Sequence, residues 1–205
     1  MKREDFFTTW SRSHGGAEIS GVVKAWLNIS YLIVKPLIKI RITPNSLTLL
    51  GLFFGVALYL NAKSIWAPVL LVLSLTCDGV DGTLAIVSGK SSKWGAVLDS
   101  LVDRITEVFW VLALYKIGAD LYLLIVVAVF ALLQEYLRAR AAGLGLAQVG
   151  IVTFAERPVR ASFIFVSLIA WQIKMPIINQ ITLLWLLLQV VSFMMVSRFT
   201  YQHLN

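Results

Sequence analysis

Long apolar stretches separated by short polar turns occupy most of the chain after residue 43. With their flanking residues, these stretches approach the ~20 residues that a helix needs to cross a bilayer. They cover about 44–62, 65–87, 94–117, 121–140, 159–172 and 178–201, within 44–203. The pattern therefore predicts an all-α, polytopic membrane protein with six transmembrane helices.

The residues before the first apolar stretch show two other patterns. Residues 1–19 are polar, lack the apolar core of a cleavable signal peptide, and predict a mobile or interfacial N-terminal arm. In residues 20–42, apolar positions recur at helical spacing while lysines fall on other faces. This pattern predicts an amphipathic helix in the membrane surface, bent near Pro36, with a soluble core helix as the alternative. Residues 20–205 would then form one membrane domain.

Composition and charge placement agree with a membrane protein. The chain of 205 residues is 59% hydrophobic and only 14% charged, with a net charge of +7. The three turns expected outside the cell hold one basic residue each, Lys63, Lys116 and Lys174, and the other basic residues lie on or near the opposite side. The positive-inside rule then predicts a multi-pass protein of the cell membrane with both termini in the cytoplasm. A basic inner face would meet anionic lipid or phosphate, so a nucleic-acid partner is not expected.

Cysteine and histidine content narrows the possible chemistry. The one cysteine, Cys77, excludes an intramolecular disulfide and is best explained by packing. The two histidines, His14 and His203, lie near the termini, which argues against histidine-based zinc or triad chemistry.

Four aspartates lie at the adjoining ends of the second and third predicted spans. Asp78 and Asp81 are three residues apart, and Asp99 and Asp103 are four apart, so each pair shares one face of a helix. Carboxylates are costly in lipid, and four close together would repel one another. Their hard oxygens suit Mg²⁺, Mn²⁺ or Ca²⁺, and a bound cation would relieve the repulsion. The sequence therefore predicts a divalent-metal site on the cytoplasmic side.

Small residues accompany the aspartates on the same helix faces. Gly82 and Ala85 follow Asp81, and Gly95 precedes Asp99 by one turn. These positions leave room for a ligand beside the backbone, although small residues in membrane helices also serve helix packing.

The aspartates and small residues together resemble the motif of the CDP-alcohol phosphotransferases, D-x2-D-G-x2-A-R-x8-G-x3-D-x3-D. The positions in register are Asp78, Asp81, Gly82, Ala85, Gly95, Asp99 and Asp103. The chain departs from the motif at one position, where Ile86 replaces the arginine.

The resemblance implies a metal-dependent membrane enzyme of phospholipid synthesis that works as a homodimer. The four aspartates would hold two divalent ions, Mg²⁺ or Mn²⁺, at the diphosphate of CDP-diacylglycerol. Gly82, Ala85 and Gly95 would line the site of the CDP moiety. Asp103 would also act as the general base on the acceptor hydroxyl.

A second resemblance concerns the acceptor. The segments R-A-R-A-x-G-L and E-R-P-x-R, followed by an arginine in the last span, are similar to the branch of the family that makes phosphatidylinositol phosphate. This similarity implies that the acceptor is inositol phosphate, a phosphorylated polyol. The residues implied to bind its phosphate are Arg138, Arg140, Arg157 and Arg198, with Arg160 as support. Each arginine could instead be a positive-inside anchor.

Three alternatives stay open at this point. Glycerol 3-phosphate offers the same phosphate to the same arginines, so the chain could be a phosphatidylglycerophosphate synthase. A divalent-cation transporter could use the same aspartates. The absence of an arginine at Ile86 also allows a catalytically weak homologue that binds lipid.

Overall fold

The computed structural model describes residues 1–13, 16, 18–146 and 151–204 and, within a helix, leaves the side chain of Val22 undescribed. Over these residues the chain is all-α, as predicted, with no strand. The helices are α1 Arg3–Ser13, α2 Gly21–Lys39, α3 Pro44–Leu60, α4 Ala67–Ser88, α5 Lys93–Lys116, α6 Leu121–Gly143, α7 Arg157–Gln172 and α8 Ile178–Leu204.

Among the described residues, three helices are long and apolar enough to cross a membrane, namely α4, α6 and α8. Helices α2 and α3 form a pair bent by 109° that would count as a fourth span if the pair is taken as one. Six spans were predicted, but the other three predicted spans do not qualify by length and composition. Helices α3 and α7 have only 17 and 16 residues, and the 24 residues of α5 carry several charges. A membrane protein with three to four candidate spans is the result.

The predicted bend of the amphipathic helix near Pro36 stays a prediction, and a separate turn follows the helix. Pro36 is inside α2, which continues to Lys39. The chain turns between α2 and α3 at Arg41, whose φ of 61° lies in the left-handed region. Helix α3 then starts with a reciprocal cap, in which Ser46 N–H donates to Thr43 Oγ1 (3.2 Å) and Thr43 N–H donates to Ser46 Oγ (3.1 Å). Pro44 at the first helical position needs no partner for its nitrogen, as the sequence indicates.

One compact unit comprises Met1–Phe54 and Val72–Thr106. Within it, the N-terminal segment forms α1 and packs on α2. The sequence predicted a mobile or interfacial arm here and did not predict this packing. Phe6 is fully buried, and its ring stacks on that of Tyr31 with centroids 5.7 Å apart. The Tyr31 hydroxyl donates to the carbonyl of Met1 at 2.9 Å. An aromatic anchor therefore holds this segment in place.

A glycine lets α2 approach α4 closely in this unit. A Cβ at Gly79 would lie 2.6 Å from the ring of Trp26, so only glycine fits without a shift. Ser30 and Thr83 hydrogen-bond beside this contact at 3.1 Å, and both are buried. Helix α2 thus packs against the segment of α4 that carries Asp78 and Asp81.

The second compact unit comprises Gly55–Leu71 and Glu107–Asn205. Helix α6 packs mainly against α8, and α7 also contacts α8. Asp120 caps α6 by accepting from Leu123 N–H at 2.9 Å. The rings of Phe163 and Trp185 stack between α7 and α8.

Candidate active site

Three of the four aspartates that the sequence singled out lie close together in the first unit. Asp78 on α4 and Asp99 and Asp103 on α5 each offer a carboxylate oxygen, and these oxygens lie within 4.8 Å of one another. All three side chains are partly buried. Three convergent carboxylates fit a divalent cation by charge, hardness and spacing. We call this group the aspartate cluster.

Asp81 lies outside the aspartate cluster. Its side chain is only 5% exposed, and its carboxylate accepts a hydrogen bond from the Thr48 hydroxyl on α3. Thr48 also lies 3.1 Å from the carbonyl of Pro44. The predicted metal ligation by Asp81 therefore stays a prediction, while its observed contact joins α4 to α3.

A cavity of about 230 Å³ opens beside these carboxylates within the first unit. Asp81 and Asp99 line it, together with all three small residues that the sequence singled out, Gly82, Ala85 and Gly95. A Cβ at Gly82 would meet no atom within 4 Å. A Cβ at Gly95 would lie 3.0 Å from Ser92 Oγ and 3.3 Å from Asn45 Oδ1. The space beside Gly82 is therefore open, whereas Gly95 allows Ser92 and Asn45 to approach the backbone of α5 closely.

Several residues of the cavity wall were missed by the sequence interpretation. They are Ser13, Pro44, Asn45, Thr48, Lys90, Ser91, Ser92 and Ala96. The segment Thr43–Pro44–Asn45 indicated only a helix start, and the polar loop after α4 indicated only a turn. Their contribution depends on tertiary packing, which the spacing along one helix does not reveal.

The predicted acceptor arginines belong to the second unit, where three of them join a network of glutamates. Arg138 makes a two-pronged ion pair with Glu156, at 2.9 Å from Nη1 and 2.6 Å from Nη2. Arg160 is 2% exposed and donates to Glu135 at 2.8 Å. Arg157 lies with Nε 3.7 Å from Glu107.

The other two predicted arginines, Arg140 on α6 and Arg198 on α8, have exposed side chains. The structure therefore groups Arg138, Arg157 and Arg160 through Glu107, Glu135 and Glu156, and leaves the acceptor role of all the arginines as a prediction. Convergence of the aspartates and arginines on one site also stays a prediction.

A chain of buried amides and hydroxyls supports the Arg138–Glu156 pair. Gln189 on α8 donates to Gln134 on α6 at 2.8 Å, and Gln134 lies 3.4 Å from the Thr153 hydroxyl. Thr153 donates to Glu156 through both its hydroxyl and its N–H, each at 2.8 Å. This chain could have been anticipated from the sequence by its two glutamines inside apolar helices, because an intramembrane amide needs a polar partner.

The electrostatics of Glu156, which precedes α7, follow from this chain. Burial by itself raises the pKa of Glu156, but the hydrogen bonds from Arg138 and Thr153 outweigh that effect. The pKa of Glu156 is therefore lowered, and the carboxylate is charged at neutral pH.

The chain is similar in sequence to proteins of known function. Residues 41–202 match the sequence profile of the CDP-alcohol phosphatidyltransferase family. A phosphatidylinositol phosphate synthase of Corynebacterium glutamicum is 47% identical over 37% of this chain and 36% of its own length. One from Cutibacterium acnes is 32% identical over 72% of this chain and 74% of its own length. An archaetidylinositol phosphate synthase of Pyrococcus horikoshii is 31% identical over 74% and 82%, respectively.

The fold is also found in a solved structure. The crystal structure of Mycobacterium tuberculosis phosphatidylinositol phosphate synthase with CDP-DAG bound superposes with a TM-score of 0.69. The match covers 85% of this chain and 94% of that chain at 23% identity. Profile, relatives and fold agree with the motif at the aspartate cluster. The chain belongs to the CDP-alcohol phosphatidyltransferase family.

Proposed function

We propose that this protein transfers the phosphatidyl group of CDP-diacylglycerol to inositol phosphate, giving phosphatidylinositol phosphate and CMP. The observation that carries the proposal is the aspartate cluster beside a cavity lined by Gly82, Ala85 and Gly95. Relatives named phosphatidylinositol phosphate synthase support the choice of acceptor, although the chain spans only 36% of the protein from Corynebacterium glutamicum and 55% of the one from Streptomyces avermitilis.

Divalent metal, Mg²⁺ or Mn²⁺ and in two copies, belongs to the proposal. Asp78, Asp99 and Asp103 would hold it, with Asp81 as a further ligand. Bound metal would supply charge neutralisation at the diphosphate.

The residues of the chain would carry the remaining steps. Asp103 accepts the proton of the acceptor hydroxyl, whose oxygen forms a bond to the β-phosphorus while the bond to CMP breaks. Asp103 forms an ion pair with Arg104, with Oδ2 3.5 Å from Nη2. Gly82, Ala85 and Gly95 leave room for the nucleotide, and Arg138, Arg140, Arg157 and Arg198 bind the acceptor phosphate, with Arg160 as support.

The proposal extends to the arrangement in the membrane. Six crossings, with α3, α5 and α7 completing the set, would put both termini and the active site on the cytoplasmic side of the cell membrane. The chain would act as a homodimer. The placement of the basic residues supports the orientation.

The experiment is a comparison of acceptors with purified protein. CDP-diacylglycerol and Mg²⁺ are supplied with inositol phosphate or with glycerol 3-phosphate, and release of CMP is measured. We expect release with inositol phosphate. If CMP is released with glycerol 3-phosphate and not with inositol phosphate, the acceptor is glycerol 3-phosphate. If CMP is released with neither acceptor, the proposed transferase activity is refuted. Metal flux into protein-containing liposomes without CDP-lipid would favour the transporter.

A further inference from the structure

The nucleotide cavity lacks a cation at the position where the family motif has arginine. Ile86 lines the cavity and packs against the apolar cluster of Phe6, Leu27 and Tyr31. This side chain therefore serves the apolar packing of α4 against α1 and α2. A diphosphate in the cavity would need its positive charge from another residue.

Lys90 lies on the same cavity wall, four residues after Ile86. Among the described residues that line the cavity, Lys90 is the one with a cationic side chain, whereas Asp81 and Asp99 are anionic. Ser91 and Ser92 follow it on the wall and bring hydroxyl donors. Ammonium and hydroxyl groups at one edge match the chemistry of a diphosphate.

The backbone at Lys90 is fixed by the end of α4. Gly89 adopts a φ of 68°, and its N–H donates to Ile86 O at 3.1 Å. Lys90 N–H donates to Ala85 O at 2.9 Å. These two bonds form a Schellman-type cap, which satisfies the last carbonyls of the helix. The cap holds Lys90 at the cavity edge, while its long side chain stays free to reach a ligand.

We propose that Lys90 binds the diphosphate of the CDP-linked lipid, supplying the charge that Ile86 does not. This inference rests on the proposed function. The alternative is that Lys90 is only one more basic residue of the inner face. The two roles differ in the effect of its charge on nucleotide binding.

The test is calorimetric titration of the purified, full-length protein with CDP in the presence of Mg²⁺. Lys90→Ala should weaken CDP binding about tenfold or more, because a charge-assisted contact to phosphate is lost. Lys90→Arg should bind within a few-fold of the wild type. Lys93→Ala is the matched control, since it removes an exposed lysine that is not part of the cavity wall. The KM for CDP-diacylglycerol should rise in Lys90→Ala, with the KM for the acceptor unchanged.

The outcomes separate this inference from the proposed function. Equal CDP affinity of the wild type and Lys90→Ala, or an equal loss in Lys93→Ala, would overturn the role of Lys90 and leave the transferase intact. A wild-type protein that binds no CDP with Mg²⁺ would overturn both.

Discussion

Asp103 is the residue whose two proposed roles can be separated by a single substitution. It contributes a carboxylate oxygen to the aspartate cluster and would also accept a proton. Asp103→Asn keeps an oxygen but removes the basic site. We expect CMP release to fall by about 100-fold or more, the usual effect of losing a general base, while CDP binding is largely kept.

The measurement pairs a CMP-release assay with CDP titration. Asp5→Asn on α1 is a suitable control, since it makes the same Asp-to-Asn substitution at an exposed position. A near-normal rate in Asp103→Asn would exclude the general-base role.

Asp78 should behave differently from Asp103. Asp78→Ala removes one of three carboxylates without touching the proposed base. We expect weaker binding of Mn²⁺ and, in its presence, of CDP, because the remaining carboxylates offer fewer oxygens. A titration with Mn²⁺ monitored by electron paramagnetic resonance would measure the loss of Mn²⁺ affinity. Unchanged Mn²⁺ affinity would place the metal site elsewhere.

At the level of elements, the polar chain joining α8, α6 and the residues before α7 predicts a non-additive effect. Gln189→Leu leaves Gln134 buried without its donor, which should cost about 1–3 kcal/mol. Gln134→Leu combined with Gln189→Leu should cost less than the sum of the two single changes, because the amides share one bond. Thermal unfolding in detergent measures all three variants, and strict additivity would contradict the coupling.

The segment before α7 should also respond to acid. Because hydrogen bonds lower the pKa of Glu156 in the folded state, its contribution to stability is complete above the ordinary carboxyl pKa. It is lost as the pH falls through the lowered folded value. We expect the melting temperature to decrease over that acidic range, and Glu156→Gln to flatten this part of the profile. An identical acid profile in both proteins would show that Glu156 is not responsible.

At the level of the whole molecule, orientation in the membrane can be tested through the single cysteine. Cys77 is only 9% exposed. Replacing it in Cys77→Ser leaves a protein without cysteine, into which single reactive thiols can be introduced. We expect Lys63→Cys to react with an impermeant maleimide added outside intact cells, and Lys93→Cys to react only after permeabilisation. Reaction of both from outside would disprove the proposed orientation.

The sequence predicted the parts of this molecule that depend on spacing along one helix. Asp99 and Asp103, four apart on α5, do lie together in the aspartate cluster, and the glycines of the same stretch do border a cavity, whereas Asp81, three residues from Asp78, lies outside the cluster. It did not predict Asn45, Thr48 or Lys90 on the cavity wall, because these come from separate elements whose packing has no local pattern. The packed α1 was missed for a related reason. Its anchor, Phe6, is fully buried and Phe7 and Trp10 pack beside it, but polar residues dominate the rest of the segment and hide this short apolar face.

The contact between Trp26 and Gly79 has a consequence for the evolution of this family. Because a Cβ at position 79 would overlap the indole, the two positions are not free to vary independently. Relatives that keep a large aromatic residue at the position of Trp26 should keep glycine opposite it. Lineages that enlarge position 79 should have reduced the aromatic residue first. Covariation between these two positions would therefore indicate that the packing of α2 against α4, the helix that carries Asp78 and Asp81, has been maintained among relatives.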